Sequence, residues 1–184
     1  LYKGHAVAAV AANSSHAAEE ALALIKVEYE QLPHVSTVEE AISDGAPLLH
    51  DQYKNNIASH DVLEMGDVDK GFGQVDLVVE REFRTSTVHQ GYIEPHSATG
   101  WWTANNKITI WGSSQGHFQI RDRTSLVLGM PVSAIKVVPM EIGGGFGGKT
   151  TIYLEPVAAL LSKITGYPVK ITMSRSEVLV ATGP

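Results

Sequence analysis

The chain has 184 residues, a formal charge of −6 and no cysteine. An acidic chain with no basic stripe is poorly equipped to neutralise phosphates, which argues against a nucleic-acid partner. The missing thiols exclude disulfides, thiolate nucleophiles and iron–sulfur ligation by this chain, and no apolar run reaches the length of a membrane span.

The opening "GHAVAAVAA" is rich in valine and alanine and reads as a buried strand. In "NSSHAAEEALALIKVEYE", Asn13 or Ser14 can cap a helix in which Ala17, Ala21, Leu24 and Ile25 recur at helical spacing. "KVEYEQL" alternates like a strand that Pro33 ends, so residues 1–36 form a strand–helix–strand unit. Thr37 and Glu40 stand three apart as a capping box, and Gly45 and Pro47 stop that helix. Residues 48–60 are polar and irregular, and Asp67 starts another short helix. "VDLVVEREFRTSTVH" is β-branched and alternating, and predicts a long strand.

"ATGWWTANNKITIWGSSQ" predicts a hairpin with its turn at the two asparagines. Its Trp101–Trp102 pair then points one ring to the core and one to the opposite face. "HFQIRDRTSLVLGM" predicts a helix with Phe118, Ile120, Leu126 and Leu128 as apolar positions and a stop at Gly129. The strand Ile135–Val138 leads into "EIGGGFGGKT", and a helix of about fifteen residues, the strand "YPVKITMS" and a short helix at "RSEVLV" follow. Strands and helices mix without strict alternation, so the fold class is α+β.

The glycine loop fits three motifs. Gly143, Gly148, Lys149 and Thr150 satisfy G-x-x-x-x-G-K-[ST], the pattern of a phosphate-binding P-loop. Too little chain follows for the rest of its sheet, and the one later strand offers no magnesium-binding aspartate, so a P-loop nucleotide-binding module stays as the second reading. Gly143, Gly145 and Gly148 satisfy G-x-G-x-x-G, but no acidic residue lies about twenty positions on, so a dinucleotide fingerprint is rejected.

The third motif takes in more of the chain. Glu94-Pro95, then Gln115 after Trp-Gly-Ser-Ser, then a helix ending in "LGMP", then a strand entering "GGGFGGK" form an ordered set. That set resembles the molybdopterin-binding large subunit of the xanthine dehydrogenase and aldehyde oxidase family, the molybdenum hydroxylases. The resemblance covers nearly the whole chain. It implies that residues 1–45 end a preceding α/β hammerhead-like domain and that 46–184 are the first part of the molybdopterin-binding domain. It implies an enzyme that oxidises an aldehyde or an N-heterocycle, with water as the oxygen source. The cofactor does the hard chemistry and the protein orients it.

The resemblance assigns cofactor contact to Gln115, Gly143, Gly144, Gly145, Phe146 and Gly147. Gln115 would donate to an oxygen on molybdenum, and the Phe146 ring would limit the pose of the substrate. No residue of this chain is expected to ligate the metal directly. Thr150 stands where purine-oxidising members carry an acidic residue, which argues against xanthine as substrate. The implied partners are a small-molecule substrate, the remainder of the large subunit, and iron–sulfur and FAD subunits or domains, in a cytoplasmic setting.

Taken residue by residue, several positions have plainer roles open to them. Lys149 is expected to be solvated, Phe146 could be a core anchor, Gln115 could be a polar residue at a strand end, and Glu94 is as open to a buried structural role as to one in the site. His89, His96 and His117 show no zinc spacing and are expected to be structural. A scaffold domain that has lost its cofactor is a further alternative.

The family's general base and other pterin contacts fall outside this sequence. The 184-residue chain alone is therefore expected neither to hold the cofactor tightly nor to turn over. Molybdenum analysis of the purified chain checks this: a trace is expected, and near-stoichiometric metal contradicts it.

Overall fold

The computed structural model describes residues 3–183, which divide into two units, residues 27–85 and residues 3–26 with 86–183. The first of these holds two short helices, α2 (Val38–Ala41) and α3 (Val68–Phe72), while α1 (Ser15–Ala23) belongs to the other. All three start at side-chain caps: Ser14 for α1, Asp67 for α3, and for α2 the expected capping box of Thr37 and Glu40. Between α2 and α3, Asn56 organises the loop. Its Nδ2 donates to the carbonyls of Ala41 and Pro47 at 2.8 and 3.1 Å, and its Oδ1 accepts the Leu49 amide at 2.8 Å.

Three expected strands do not form. Residues 5–12, 26–32 and 75–89 join no ladder among the described residues. Their sequences carry strand propensity, yet a strand exists only through its partner's hydrogen bonds. Leu77 and Phe83 accordingly stand 77% and 88% exposed.

The other unit is built on a four-stranded sheet in the order β3-β2-β1-β4. Its strands are β1 (Ser97–Trp102), β2 (Ile108–Gly112), β3 (Ile135–Pro139) and β4 (Val169–Thr172). β1 runs antiparallel to β2 and β4, while β2 and β3 are parallel, with Ile110 opposite Val137 and Gly112 opposite Pro139. The β1–β2 hairpin turns where expected. Asn106 takes a left-handed φ of 59°, and its amide donates to Thr103 O at 3.0 Å.

Three more helices complete this unit: α4 (His117–Leu128), α5 (Glu155–Thr165) and α6 (Arg175–Ala181). α4 and α5 pack on the sheet and on each other, around a core of Ile108, Ile110, Ile135 and Ala159. Trp102 joins that core while Trp101 is 44% exposed, as strand alternation requires. The mixed sheet with its helices is an α+β architecture.

The apolar face of α4 differs from expectation. Ile120 and Thr124, four residues apart, are buried, whereas Phe118 and Leu126 are exposed. A four-residue stride sets a helix face, and here that face includes a threonine that hydropathy alone overlooks. α4 stops at Gly129, with φ 62°. α5 is shorter than expected: proline favours the first turn of a helix, and Pro156 sits in the first turn here, so residues 151–154 stay outside.

Packing is tightest where α5 crosses β1. A Cβ on Gly100 would lie 2.5 Å from Ala159 N and 2.6 Å from Ala158 C, both rigid backbone atoms. Ser162 of α5, fully buried, accepts the Trp102 amide at 2.9 Å. Gly100→Ala should therefore destabilise the protein by about 1–3 kcal/mol or more, measured by urea denaturation. A wild-type midpoint would contradict the packing described.

Candidate functional site

Strand direction brings the sequence motifs together. β2 and β3 are parallel, so their C-terminal ends lie side by side: Ser113–Gln115 leaves one, and the glycine loop leaves the other. β1 is antiparallel to both its neighbours, so the segment entering it, Gln90–His96, starts at this same edge. β4 delivers Met173–Arg175 there as well. Ligand sites in sheets with parallel strands favour the carboxyl edge.

Gln115 reaches directly into the loop. Its Oε1 accepts the amides of Gly147 at 3.0 Å and Lys149 at 3.3 Å. Its own amide donates to Lys149 O at 2.9 Å, beside Ser114 Oγ, which donates to the same carbonyl at 2.9 Å. A backbone amide can only donate, so the Gln115 oxygen must face the loop and its NH2 must face away. Gln115 is exposed, and that NH2 has no partner among the described residues. The side chain thus presents two neutral donors outward from a fixed anchor.

The loop is turned by residues with positive φ: Gly144 at 95°, Phe146 at 48° and Gly147 at 94°. For phenylalanine this conformation costs on the order of 1 kcal/mol. Its ring is 74% exposed, so no burial offsets that cost. An exposed ring is not a core anchor, so that plainer role for Phe146 falls away. The amides of Gly144, Gly145 and Phe146 have no hydrogen-bond partner among the described residues. Successive amides without partners in a turned, glycine-rich loop can hold an oxo or anionic group.

The glycines are not bare toward an incoming ligand alone. A Cβ on Gly143 would meet Glu94 Cβ at 2.7 Å, and one on Gly145 would meet Gln115 Oε1 at 2.4 Å. One on Gly148 would meet the Tyr92 ring at 2.7 Å. At these three positions the close approach is made by the chain's own side chains. The loop amides also do not open a helix, since α5 begins only at Glu155.

Lys149 departs furthest from expectation. It is 1% exposed rather than solvated. Its ammonium lies 2.6 Å from Glu94 Oε2 and 5.0 Å from the centre of the Tyr92 ring. The same Glu94 oxygen accepts the Gly143 amide at 2.7 Å. Burial pushes the Glu94 carboxyl up, but the Lys149 ammonium and the Gly143 amide outweigh it and hold the group below the ordinary carboxylate range. A lysine consumed in this way cannot serve a nucleotide phosphate, and no helix follows the loop directly, so the geometry does not support a P-loop.

Beneath the loop, Tyr92 is buried and hydrogen-bonded at both ends. Arg175 donates to the Tyr92 carbonyl at 2.9 Å and also to the Ile93 carbonyl. Thr182 Oγ1 donates to Val178 O at 2.7 Å, so it can only accept from the Tyr92 hydroxyl at 2.9 Å. Tyr92 Oη must then accept from His96 Nε2, 2.6 Å away. Gly91 N donates to His89 Nδ1 at 3.0 Å, which leaves His89 Nε2 to donate to Thr182 at 2.9 Å. His89 and His96 are both tied into this network, and its hydrogen bonds place the proton of each on Nε2.

Sequence reasoning missed Lys149 and Tyr92. The one available signal was Glu94 itself, a carboxylate held extended by the proline after it. Among the described residues, no group of three or more His, Asp or Glu side chains is placed to hold a metal ion, and no helix is long and apolar enough to cross a membrane.

Burial pushes the His96 imidazole down to about 4, helped by the Lys149 and His89 charges and opposed by Glu94. Its contribution to stability is complete above the unfolded value near 6.5 and is lost as pH falls toward about 4, on the order of 3 kcal/mol in all. Urea unfolding between pH 7 and 4 should show this loss, and His96→Gln should flatten it.

Comparison with known proteins bears on this arrangement. The family model for the molybdopterin cofactor-binding domain matches residues 49–184. The chain is 34% identical over 174 residues to the nicotinate dehydrogenase large molybdopterin subunit of Eubacterium barkeri, covering 95% of this chain and 40% of that one. It is 32% identical over 182 residues to the xanthine dehydrogenase molybdenum-binding subunit of Escherichia coli O157:H7, covering 98% of this chain and 24% of the relative. Among solved structures, quinoline 2-oxidoreductase from Pseudomonas putida 86 matches with a TM-score of 0.79 at 29% identity, over 91% of this chain and 21% of that one. The chain therefore spans well under half the length of these relatives.

Proposed function

The chain belongs to the molybdopterin cofactor-binding domain family, and from that premise we propose that it is part of a molybdenum hydroxylase acting on an N-heterocycle or an aldehyde. Residues 46–184 are the first part of the cofactor-binding domain, and 1–45 close the domain before it. The observation that carries this reading is the donor set at the sheet edge. The Gln115 NH2 and the free amides of Gly144, Gly145 and Phe146 stand around one loop, all neutral donors without partners. That set suits oxo and anionic groups of a metal–pterin cofactor better than it suits a cation.

The cofactor, when bound, supplies the redox chemistry that inserts oxygen from water beside a heteroatom or carbonyl. This chain's residues orient it. Gln115 directs its NH2 toward the cofactor from an anchor made by two loop amides. Gly143, Gly144, Gly145 and Gly147 shape the peptide edge against it. Phe146 offers an aromatic face at the loop tip, suited to guiding a flat ring. Relatives named for nicotinate, xanthine and quinoline support a nitrogen heterocycle. Thr150 is exposed and its hydroxyl donates to Gly147 O at 3.1 Å, so it brings no negative charge to the loop and disfavours xanthine. Electrons leave through iron–sulfur and FAD groups on other subunits or regions, in the cytoplasm.

The full-length protein tests this directly. Purified with its partners, it should carry molybdenum and pterin and place labelled oxygen from water into the product of an N-heterocycle or aldehyde panel. Gln115→Ala should lower turnover by about tenfold or more. A metal-free full-length protein, or label arriving from dioxygen, overturns the proposal.

A further inference from the structure

One carboxylate oxygen ties both ends of the glycine loop. Glu94 Oε2 holds the Gly143 amide at the near end and the Lys149 ammonium at the far end, at 2.7 and 2.6 Å. The Glu94 amide also donates to Gly143 O at 3.3 Å, completing a two-way bond with the first residue of the loop. The Lys149 side chain is fully buried and the Glu94 side chain about one-third exposed, so only one partner of the pair meets water. The Tyr92 ring closes over the ammonium from another side.

The main chain of Lys149 carries this restraint onward. Its amide donates to Gln115 Oε1 and its carbonyl accepts the Gln115 amide. The direction of the Gln115 NH2 therefore depends on where Lys149 sits, and Glu94 decides that. Resting on the reading of Gln115 as a cofactor contact, we infer that Glu94 and Lys149 are positioning residues that set the geometry of the loop and of the Gln115 donor. A buried ion pair is weak evidence for stability, because desolvation cancels much of the attraction. Its distinctive effect here is geometric, since one atom fixes two points of a loop that glycines would otherwise leave loose.

The test compares Glu94→Gln, Lys149→Met and the double variant in the full-length enzyme. Hydrogen exchange at Gly143 and Lys149 is read in metal-free protein, and turnover per bound molybdenum is read in the loaded enzyme. Glu94→Gln should speed exchange at both amides about tenfold or more and cut turnover per molybdenum by a similar factor, with KM changed about twofold or less. The double variant removes the unpaired buried charge, so its melting temperature should return toward wild type while exchange and turnover do not. Unchanged amide protection in Glu94→Gln overturns the inference, as does a double variant that recovers turnover along with its melting temperature. A wild-type protein without molybdenum would sink the proposed function instead, and the exchange data would still decide whether Glu94 and Lys149 brace the loop.

Discussion

The parallel pairing of β2 with β3 is the constraint on which the site depends. Two parallel neighbours must end at the same edge of a sheet, and a helix must carry the chain back between them. α4 is that crossover. Gln115 leaves one strand and Gly143 enters from the other, so residues about thirty apart in sequence meet as a consequence of strand direction. The antiparallel setting of β1 then brings in Glu94 from far upstream. No single motif would have sufficed, because the site consists of what one sheet edge collects.

Electrostatics and backbone conformation share the work within that edge. Neutral groups are the exposed ones: the Gln115 side chain and the Phe146 ring. Charge is kept beneath them, as the Lys149 ammonium held against Glu94 and the Tyr92 face. The same positive charge helps keep His96 neutral below the loop. Buried and paired with Glu94, the Lys149 ammonium is not available as a proton donor to a ligand at the loop. The run G-K-T in this chain thus looks like a nucleotide motif in letters and behaves differently in space.

Much of this was legible in the sequence where local chemistry decides structure. The caps at Ser14, Thr37 and Asp67, the asparagine turn and the Gly129 stop follow from side-chain hydrogen bonds or from φ, which each residue brings with it. Gln115 and the glycine loop were legible through the ordered set of motifs, and the structure brings them into contact. The strands at 5–12, 26–32 and 75–89 were not legible, because propensity says nothing about whether a partner strand is present. Lys149 was missed for a related reason. A lysine after five glycines looks solvated, and only the tertiary approach of Glu94 reveals that it is buried.

The clearance at Gly145 carries a consequence for the history of this surface. With the Gln115 carbonyl standing 2.4 Å from where a methyl group would sit, the two positions share a single volume. A side chain at residue 145 has to push the tip of Gln115 aside, and the amides of Gly147 and Lys149 then lose their common acceptor. The two positions are therefore coupled, although they lie far apart along the chain.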